Sequence, residues 1–328
     1  MSAPVDRNLA LELVRVTEAA ALASAQLVGM GDKEAADQAA VDGMHAVLHT
    51  VHMDGVVVIG EGEKDEAPML YNGEQIGDGS QPEVDIAVDP LEGTELCAKG
   101  LPNAIATIAL SERGTMFDPG PCVYMLKMAT SRSLAHVLDI DRPIGETLKL
   151  MAKEKGVPVG DLTVIMLDRD RHEEYMHEIR EVGARIRLIP HGDVSAALAA
   201  VTEDSAIDLL FGIGGTPEGV LAAAAIQCTG GQILGRLWPR SDEERNAALE
   251  AGCDLDEVLD KDRLVSGNDV FFAATGVTDG ELLDGVRFTG PGATTESVSM
   301  RSRSGTVRRI LARHDRAKLR EITGERLG

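Results

Sequence analysis

The sequence VDIAVDPLEGT, at residues 84–94, decides how this chain folds. Its first half is apolar and contains β-branched residues, which predicts a buried strand. Pro90 has no amide hydrogen, so we expect the hydrogen-bond ladder of the strand to end there. The glycine that follows permits a sharp turn. Asp89, Glu92 and Thr94 should therefore lie together at the rim of a sheet.

Two carboxylates at such a rim need a compensating partner. At a separation of about 4 Å and an effective dielectric constant of 20 they repel each other by roughly 4 kcal/mol. Protonation, a cationic side chain or a metal ion would relieve that repulsion, and hard oxygen ligands suit Mg²⁺ or Mn²⁺. An ordinary turn, in which Asp89 caps a helix and Glu92 is solvated, is the alternative that these residues leave open.

The string DPLEGT at residues 89–94 resembles the D-P-[IL]-[DE]-[GS]-T signature of the lithium-sensitive, metal-dependent phosphatase superfamily. Most members carry Asp at the fourth position, whereas Glu92 resembles the class II fructose-1,6-bisphosphatases of bacteria. Other stretches match that narrower family, and the likeness runs over nearly the whole chain. These stretches are GDK at 31–33, VIGEGE at 58–63, DEAPMLY at 65–71 and GIGGTPEG at 212–219.

This resemblance implies a function and a fold. The function is the metal-dependent hydrolysis of the C1 phosphate of fructose 1,6-bisphosphate, giving fructose 6-phosphate and phosphate in gluconeogenesis. The fold is α/β, of the α+β sugar phosphatase type, with a layered αβαβα arrangement of two lobes. A homo-oligomer is also implied. The alternatives are sedoheptulose 1,7-bisphosphate or an inositol monophosphate as substrate and, in another class, a non-catalytic protein that binds metal or sugar phosphate.

Composition limits the partners of the chain. Its 328 residues can bury one large core or two medium ones. With 54 acidic and 32 basic residues the net charge is -22, which disfavours nucleic acid and anionic membranes as partners. A phosphorylated substrate would also be repelled, so cations must reverse the local sign at a phosphate site. The arginines between residues 301 and 309 should form surface ion pairs rather than nucleic-acid contacts.

Cysteine spacing and hydropathy bear on the compartment. The four cysteines lie far apart without C-x-x-C spacing or a nearby histidine, which argues against zinc and against a disulfide framework. The Ala-rich run 19–27 has no cationic start or cleavage pattern, so we expect no signal peptide. No run reaches the roughly 18 apolar residues of a membrane span. We expect a cytoplasmic protein with reduced thiols.

The order of predicted elements suggests two lobes. Helices at 8–28 and after Asp32, followed by consecutive strands, predict a mostly antiparallel sheet behind two helices in residues 1–145. From residue 146 to 328 strands and helices alternate, which predicts a mixed βαβ sheet that binds substrate. The order of elements also allows the C-terminal segment to pack with the first lobe.

Five acids are candidate metal ligands, because each follows a predicted strand or begins a helix and each matches a ligand position of the family. The Leu91 carbonyl is an additional candidate. Bound divalent ions can activate water and stabilise a leaving alkoxide. The five acids are Asp37, Glu61, Asp89, Glu92 and Glu218.

Three residues are candidates for catalysis. The Thr94 hydroxyl can orient the attacking water while Glu61 or another nearby acid receives the proton. The alternative for Thr94 is a helix N-cap after the preceding glycine. Lys33 lies four residues before Asp37, and the resemblance implies that it supplies a cation at the cleft. Its alternative is a surface ion pair worth about 0.3–0.5 kcal/mol.

Planar guanidinium groups match phosphate oxygens, so Arg169 and Arg171 are candidate ligands of the second phosphate. Similar enzymes have Lys-Pro-Arg here, and Asp170 is therefore a departure. A loop at 212–215 is expected to expose amide hydrogens, and Pro217 to begin a helix whose N-terminus favours anions.

The remaining candidate substrate contacts follow from the resemblance. Asp193 could accept hydrogen bonds from sugar hydroxyls, or could cap a helix. The family has Asp-Gly-Asp where this chain has His-Gly-Asp. Tyr124 matches a tyrosine near substrate, with a core or sheet-edge tyrosine as its alternative. The set is completed by Glu92, Gly93, Thr94, His191, Gly192 and Gly215.

Overall fold

A computed structural model describes residues 8–62, 68–203, 205–290, 292–315 and 317–318 of the chain. The quoted motif residues 63 and 65–67 lie outside these ranges. No helix in the described ranges combines the length and the hydrophobicity that crossing a bilayer requires. The helices are α1 (Ala10–Ser24), α2 (Lys33–Leu48), α3 (Thr94–Lys99), α4 (Ile144–Lys155), α5 (Glu173–Glu181), α6 (Asp193–Val201), α7 (Thr216–Thr229), α8 (Asp242–Glu250) and α9 (Lys261–Leu264).

The strands form two sheets, in agreement with the predicted α/β class. In chain order they are β1 (Asp54–Ile59), β2 (Gln75–Gly77), β3 (Glu83–Glu92), β4 (Ile105–Glu112), β5 (Tyr124–Thr130), β6 (Thr163–Leu167), β7 (Arg185–Ile189), β8 (Leu209–Gly215), β9 (Gln232–Leu237), β10 (Leu259–Asp260), β11 (Phe271–Gly276), β12 (Arg287–Thr289), β13 (Gly292–Arg301) and β14 (Thr306–Asp315).

The chain forms two compact units. The first comprises the described residues up to Met116 and those from Gly267 onward, and the second is Phe117–Ser266. The division at residue 145 suggested by the element order differs from this one, since it would separate β5 from its sheet. Strand β5 pairs with β8 on one side and with β9 on the other, which satisfies its backbone polar groups within the second unit.

The sheet of the first unit has the order β12-β13-β11-β4-β3-β1-β2, with β14 paired to β13. Strands β1 and β3 are parallel and the other pairs are antiparallel, so the predicted mostly antiparallel sheet is confirmed. Helices α1 and α2 bury their apolar faces against it. The hydroxyls of Thr17 in α1 and Thr275 in β11 are 2.7 Å apart, which fixes the helix on the sheet.

Strand β3 corrects one expectation. The predicted end of its ladder at Pro90 is wrong, because pairing with β4 breaks there and then resumes. Asp89 pairs with Thr107 and Glu92 pairs with Ile105, with a register shift between them. This bulge accommodates the missing amide of proline without ending the strand. The predicted sharp turn follows directly, with Gly93 at φ +85°.

The second sheet has the order β10-β9-β5-β8-β6-β7. Strand β6 is parallel to β7 and β8 while the other pairs are antiparallel, so the predicted mixed sheet is confirmed. Helices α4 and α5 pack on one face, where Leu148 and Ile179 join a core with Met166 and Phe211. Helices α6 and α7 contact the strands as well as each other.

Residues 212–215 correct another expectation. They belong to β8 and pair with β5, so the predicted glycine loop is wrong. Glycines predicted a loop because they are depleted in strands, but here their missing side chains leave room for side chains of neighbouring elements. The predicted helix after this segment is present as α7, with Pro217 in its first turn.

Two of the arginines near the C-terminus form close ion pairs, as predicted. Arg301 lies 2.5 Å from Asp269, and Arg309 lies 2.9 Å from Glu296. Both pairs lie within the first unit and tie β13 and β14 to their neighbours.

Candidate active site

The Thr94 hydroxyl lies between a carboxylate and a carbonyl. Its Oγ1 is 3.2 Å from Asp37 Oδ1 and 3.1 Å from the Leu91 oxygen, both of which can accept its hydrogen bond. Helix α3 begins at Thr94 and its N-cap is Gly93, so the hydroxyl does not cap that helix. The turn after β3 therefore directs Thr94 toward the first turns of α2.

Glu61 and Asp37 share an electrostatic environment. Burial raises the pKa of Glu61 to about 7, and the negative charge of Asp37 adds to the shift. Burial also raises the pKa of Asp37, although the hydrogen bond from Thr94 opposes the increase. The Glu61 amide donates to the Leu70 carbonyl at 2.9 Å, which fixes the turn after β1. A bound cation would stabilise both carboxylates in their charged form.

The bulge in β3 brings Asp89 and Glu92 onto one face of the sheet. Residues three apart on a regular strand point to opposite faces, since the side-chain period is two. Here their partners Thr107 and Ile105 are two apart, so the extra residue restores a common side. Asp89 is half-buried and Glu92 is 4% exposed. The register thus places both acids of the motif on the same face of β3.

Lys33 forms an exposed ion pair with its neighbour in α2. Its ammonium is 3.5 Å from Glu34 and its side chain is 62% exposed. Within the described part of the chain its ion pair is with Glu34, so the alternative of an ion pair with Asp37 is not the one formed. The role of Lys33 as a cation at the cleft stays a prediction. The first turn of α2 is capped instead by Asp32, whose side chain accepts the Ala35 amide at 3.0 Å.

The second unit contains a buried ion pair that sequence reasoning missed. Lys127 Nζ lies 2.6 Å from Asp193 Oδ2 and donates to the Gly215 carbonyl at 2.9 Å. The Lys127 side chain is only 2% exposed. A lone lysine inside the apolar strand β5 was the available signal, because lysine is almost never fully buried without a partner.

Two glycines of β8 make room for this cluster. A Cβ on Gly214 would lie 2.0 Å from Asp193 Oδ2, and one on Gly215 would lie 1.8 Å from Glu218 Oε2. Burial raises the pKa of Glu218, Lys127 opposes that increase, and Asp193 adds to it. Lys127, Asp193 and Glu218 therefore form one charge cluster against the glycine backbone.

Asp193 is the first residue of α6, and Gly192 is the N-cap at φ +105°. The helix-cap alternative for Asp193 is thus wrong, and its carboxylate is paired with a lysine. His191 precedes this turn and is half-buried. The His-Gly-Asp segment therefore turns the chain sharply into α6, beside the Lys127 cluster.

Two guanidinium groups contact the Tyr124 ring. Arg171 and Arg240 each lie 5.1 Å from the ring centroid. Arg171 also donates to the Ile213 carbonyl at 3.1 and 2.8 Å, which fixes its position. Arg240 was not predicted, and an isolated arginine after β9 gave no signal for it. Tyr124 is half-buried and interacts with both cations through its ring face.

The two other residues of the Arg-Asp-Arg segment lie nearer the surface. Arg169 donates to the carbonyls of Asp168 and Pro190, each at 2.7 Å. Asp170 is exposed at the start of a short 3₁₀ turn. Arg169 thus joins the ends of β6 and β7. Asp170, which replaces the proline of similar enzymes, lies at an exposed position where its side chain has room.

His172 locks the Arg171 turn to β8. It is fully buried, its Nδ1 lies 2.7 Å from the Leu167 carbonyl, and its Nε2 accepts the Ile213 amide at 2.8 Å. The neutral tautomer with a proton on Nδ1 satisfies both contacts. Burial lowers the pKa of His172 below its ordinary value.

Replacing His172 by phenylalanine should lower the free energy of unfolding by about 2–5 kcal/mol, since two buried backbone groups lose their partner. In the native protein this histidine stabilises the fold fully above pH 6.5, the ordinary value, and less as the pH falls below it, because the unfolded chain protonates first. Urea unfolding at pH 7.5 and pH 5.5 would measure both effects. The exposed His136 offers the control H136F, and equal stability of the two variants would contradict the assignment.

Comparisons with known proteins agree with the motif. A family model described as bacterial fructose-1,6-bisphosphatase, glpX-encoded, matches residues 7–314. A Haemophilus influenzae protein (strain ATCC 51907 / DSM 11121 / KW20 / Rd) named fructose-1,6-bisphosphatase class 2 is 43% identical over 94% of this chain and 97% of its own length.

Two cyanobacterial relatives carry a double name, D-fructose 1,6-bisphosphatase class 2/sedoheptulose 1,7-bisphosphatase. The one from Synechococcus sp. (strain JA-2-3B'a(2-13)) is 44% identical over 93% of this chain and 94% of its own length. The one from Synechococcus sp. (strain JA-3-3Ab) is 43% identical over the same shares. The similarity therefore covers both compact units.

Proposed function

Because the chain belongs to the bacterial class 2 fructose-1,6-bisphosphatase family, we propose that it hydrolyses the C1 phosphate of fructose 1,6-bisphosphate. The products are fructose 6-phosphate and inorganic phosphate, and the enzyme is a phosphoric monoester hydrolase. The observation that carries this proposal is the family match over residues 7–314, which includes the acid motif and the arginine segment. Gluconeogenesis is the process that such a reaction serves.

The family is metal-dependent, and the acids of the first unit suit hard divalent ions such as Mg²⁺ or Mn²⁺. As the family resemblance implies, we propose the ligand role for Asp37, Glu61, Asp89, Glu92 and Glu218. The raised pKa values of Asp37, Glu61 and Glu218 support this, because burial and like charge disfavour their anions until a cation is bound. Bound ions would activate water and stabilise the leaving alkoxide.

Thr94 is proposed to orient the attacking water. Its hydroxyl proton is donated toward Asp37 or the Leu91 carbonyl, so an oxygen lone pair can accept a hydrogen bond from the water. Glu61 is the proposed proton acceptor. Lys33 is proposed as the cation at the cleft, as the resemblance implies, and its exposed ammonium now lies 3.5 Å from Glu34.

The remaining phosphate of the substrate is assigned to Arg169 and Arg171, beside Tyr124. Arg171 is held by the Ile213 carbonyl, which lowers the entropy lost when a phosphate binds. The sugar is assigned to the other predicted contacts. They are Glu92, Gly93, Thr94, Asp170, His191, Gly192, Asp193 and Gly215.

Sedoheptulose 1,7-bisphosphate is the second candidate substrate. The observation that favours it is the double name of both cyanobacterial relatives. An inositol monophosphate is less consistent with two guanidinium groups dedicated to a second phosphate. A non-catalytic binding protein would retain sugar-phosphate affinity but release no phosphate.

We propose that the protein is cytoplasmic and forms a homo-oligomer. Within the described residues, Cys97, Cys122, Cys228 and Cys253 form no disulfide, which is consistent with a reducing compartment.

We expect phosphate release from fructose 1,6-bisphosphate in the presence of Mg²⁺ or Mn²⁺, none after chelation, and recovery when the ion is restored. Sedoheptulose 1,7-bisphosphate should also be hydrolysed. Inositol 1-phosphate should react at least about tenfold more slowly, because it lacks one charge-assisted phosphate contact. A phosphate-release assay across these three substrates measures all of this. Equal rates on inositol 1-phosphate would exclude the assignment, and binding without release would favour the non-catalytic alternative.

A further inference from the structure

A cluster of two histidines and a glutamate lies in the first unit. His45 and His49 occupy successive turns at the C-terminal end of α2, and Glu74 directly precedes β2. His45 Nε2 is 3.1 Å from Glu74 Oε1 and 3.1 Å from His49 Nε2. One potential ligand atom from each of the three residues lies within 4.8 Å of the others.

These distances match those of a metal site. Nitrogen and oxygen ligands about 2.0–2.1 Å from a tetrahedral zinc ion lie roughly 3.3–3.4 Å from one another. The His45–Glu74 and His45–His49 distances of 3.1 Å need to lengthen only slightly to reach that geometry. Histidines at i and i+4 on one helix face also have the spacing that helical zinc sites use. The rings meet edge to face, with an interplanar angle of 82°.

The surroundings hold the Glu74 side chain in place. Glu74 Oε2 accepts the Leu70 amide at 2.5 Å, which leaves Oε1 directed to His45. Second contacts of this kind orient ligands in established metal sites. The cluster is therefore preorganised by the fold.

Access from solvent is retained. The side chains of His45 and Glu74 are 17% and 13% exposed, whereas His49 is exposed. An ion can thus enter from the His49 side, and water can supply a fourth ligand. The cluster is also separate from Asp37, because His45 follows it by about 12 Å along the helix axis at 1.5 Å per residue.

We propose that His45, His49 and Glu74 bind a borderline transition-metal ion, with Zn²⁺ as the first choice. Two imidazoles and one carboxylate suit such an ion. The carboxylates proposed as ligands in the previous subsection offer only oxygen atoms, which suit Mg²⁺ or Mn²⁺. The expectation that the chain binds no zinc rested on the spacing of its cysteines. The cluster proposed here contains no cysteine, so that argument does not apply to it. Here the carboxylate ligand comes from a segment distant in sequence.

The site would connect two segments that carry candidate catalytic acids. Helix α2 carries Asp37 near its start, and Glu74 binds the Leu70 amide while the Leu70 carbonyl accepts the Glu61 amide. A metal ion on His45 and Glu74 therefore cross-links the helix of Asp37 to the turn of Glu61. Its role is structural, and binding can be measured without reference to catalysis.

The test uses the full-length protein, stripped of metal and then saturated with Mg²⁺ so that hard-ion sites are occupied. Zn²⁺ binding is followed by calorimetry, and Co²⁺ binding by its visible absorption. The native protein should bind one Zn²⁺ that Mg²⁺ does not displace, and Co²⁺ should give the intense bands of tetrahedral nitrogen ligation. H49A should reduce the affinity at least about tenfold, in line with the loss of a metal contact.

The matched control is His52→Ala. His52 is exposed, lies beyond α2 and pairs with Asp78, so its loss should leave Zn²⁺ affinity unchanged. Glu74→Gln provides a second variant that retains the size of the side chain, and circular dichroism checks that each variant is folded. Equal Zn²⁺ affinity in native protein, H49A and Glu74→Gln would overturn the proposal. So would a loss in His52→Ala as large as that in H49A.

Discussion

Replacing Thr94 by alanine should lower kcat for fructose 1,6-bisphosphate by about 10²–10⁴-fold, the usual contribution of a positioned proton-transfer group. The hydroxyl lies 3.2 Å from Asp37 and 3.1 Å from the Leu91 carbonyl, so it is held before substrate binds. Alanine removes the group that would orient water and leaves the helix start intact, because Gly93 is the cap. Steady-state phosphate release measures the effect.

Thr94→Ser is the matched control, since it retains the hydroxyl and should keep most of the activity. The KM of the alanine variant should change much less than its kcat, because the hydroxyl is assigned to the reacting water. Unfolding temperatures should be similar for all three proteins. Unchanged kcat in Thr94→Ala, or equal losses in both variants, would exclude the proposed role.

Replacing Lys127 by methionine should lower the free energy of unfolding by about 3–5 kcal/mol, the usual cost of leaving a buried charge unpaired. Lys127 and Asp193 are 2% and 8% exposed, and their contact is 2.6 Å long. Removing the ammonium also exposes Glu218 to the full repulsion of Asp193, which would raise the pKa of Glu218 further. Denaturant unfolding measures the loss.

The exposed Lys153 in the last turn of α4 offers a control, K153M, which should change stability by less than about 0.5 kcal/mol. The double variant Lys127→Met/Asp193→Leu should recover part of the stability, since it removes both buried charges. A Lys127→Met protein as stable as the native one would contradict the proposed energetic role of the pair. An unimproved double variant would show that packing, rather than charge, is responsible.

Local sequence patterns were sufficient to predict much of the fold and to select the acids that are candidate metal ligands. The apolar run before Asp89 predicted a strand, the alternation after residue 145 predicted the mixed sheet, and the motif indicated the family. Each of these signals lies within a short window, where side-chain periodicity and turn chemistry act directly. The strand end at Pro90 and the glycine loop at 212–215 were wrong because strand pairing overrode local preference.

The side chains that meet could not be inferred in this way. The role of Lys127 is evident only from its contact with Asp193, which α6 positions. The role of His45 is likewise evident only from its contact with Glu74, which lies just before β2. Lys33 shows the converse, since its spacing from Asp37 suggested a contact that the structure replaces with Glu34. These contacts depend on segments distant in sequence, and periodicity carries no information about them.

The sequence by itself determined the family, the class of fold and the acidic and cationic residues available for phosphate chemistry. Only the tertiary structure decided which of them lie together. The bulge in β3 shows the reason, because one extra residue turns Asp89 and Glu92 to a common face, and that extra residue exists only in the pairing with β4. Composition specifies the chemical groups, whereas the register between distant strands specifies their directions.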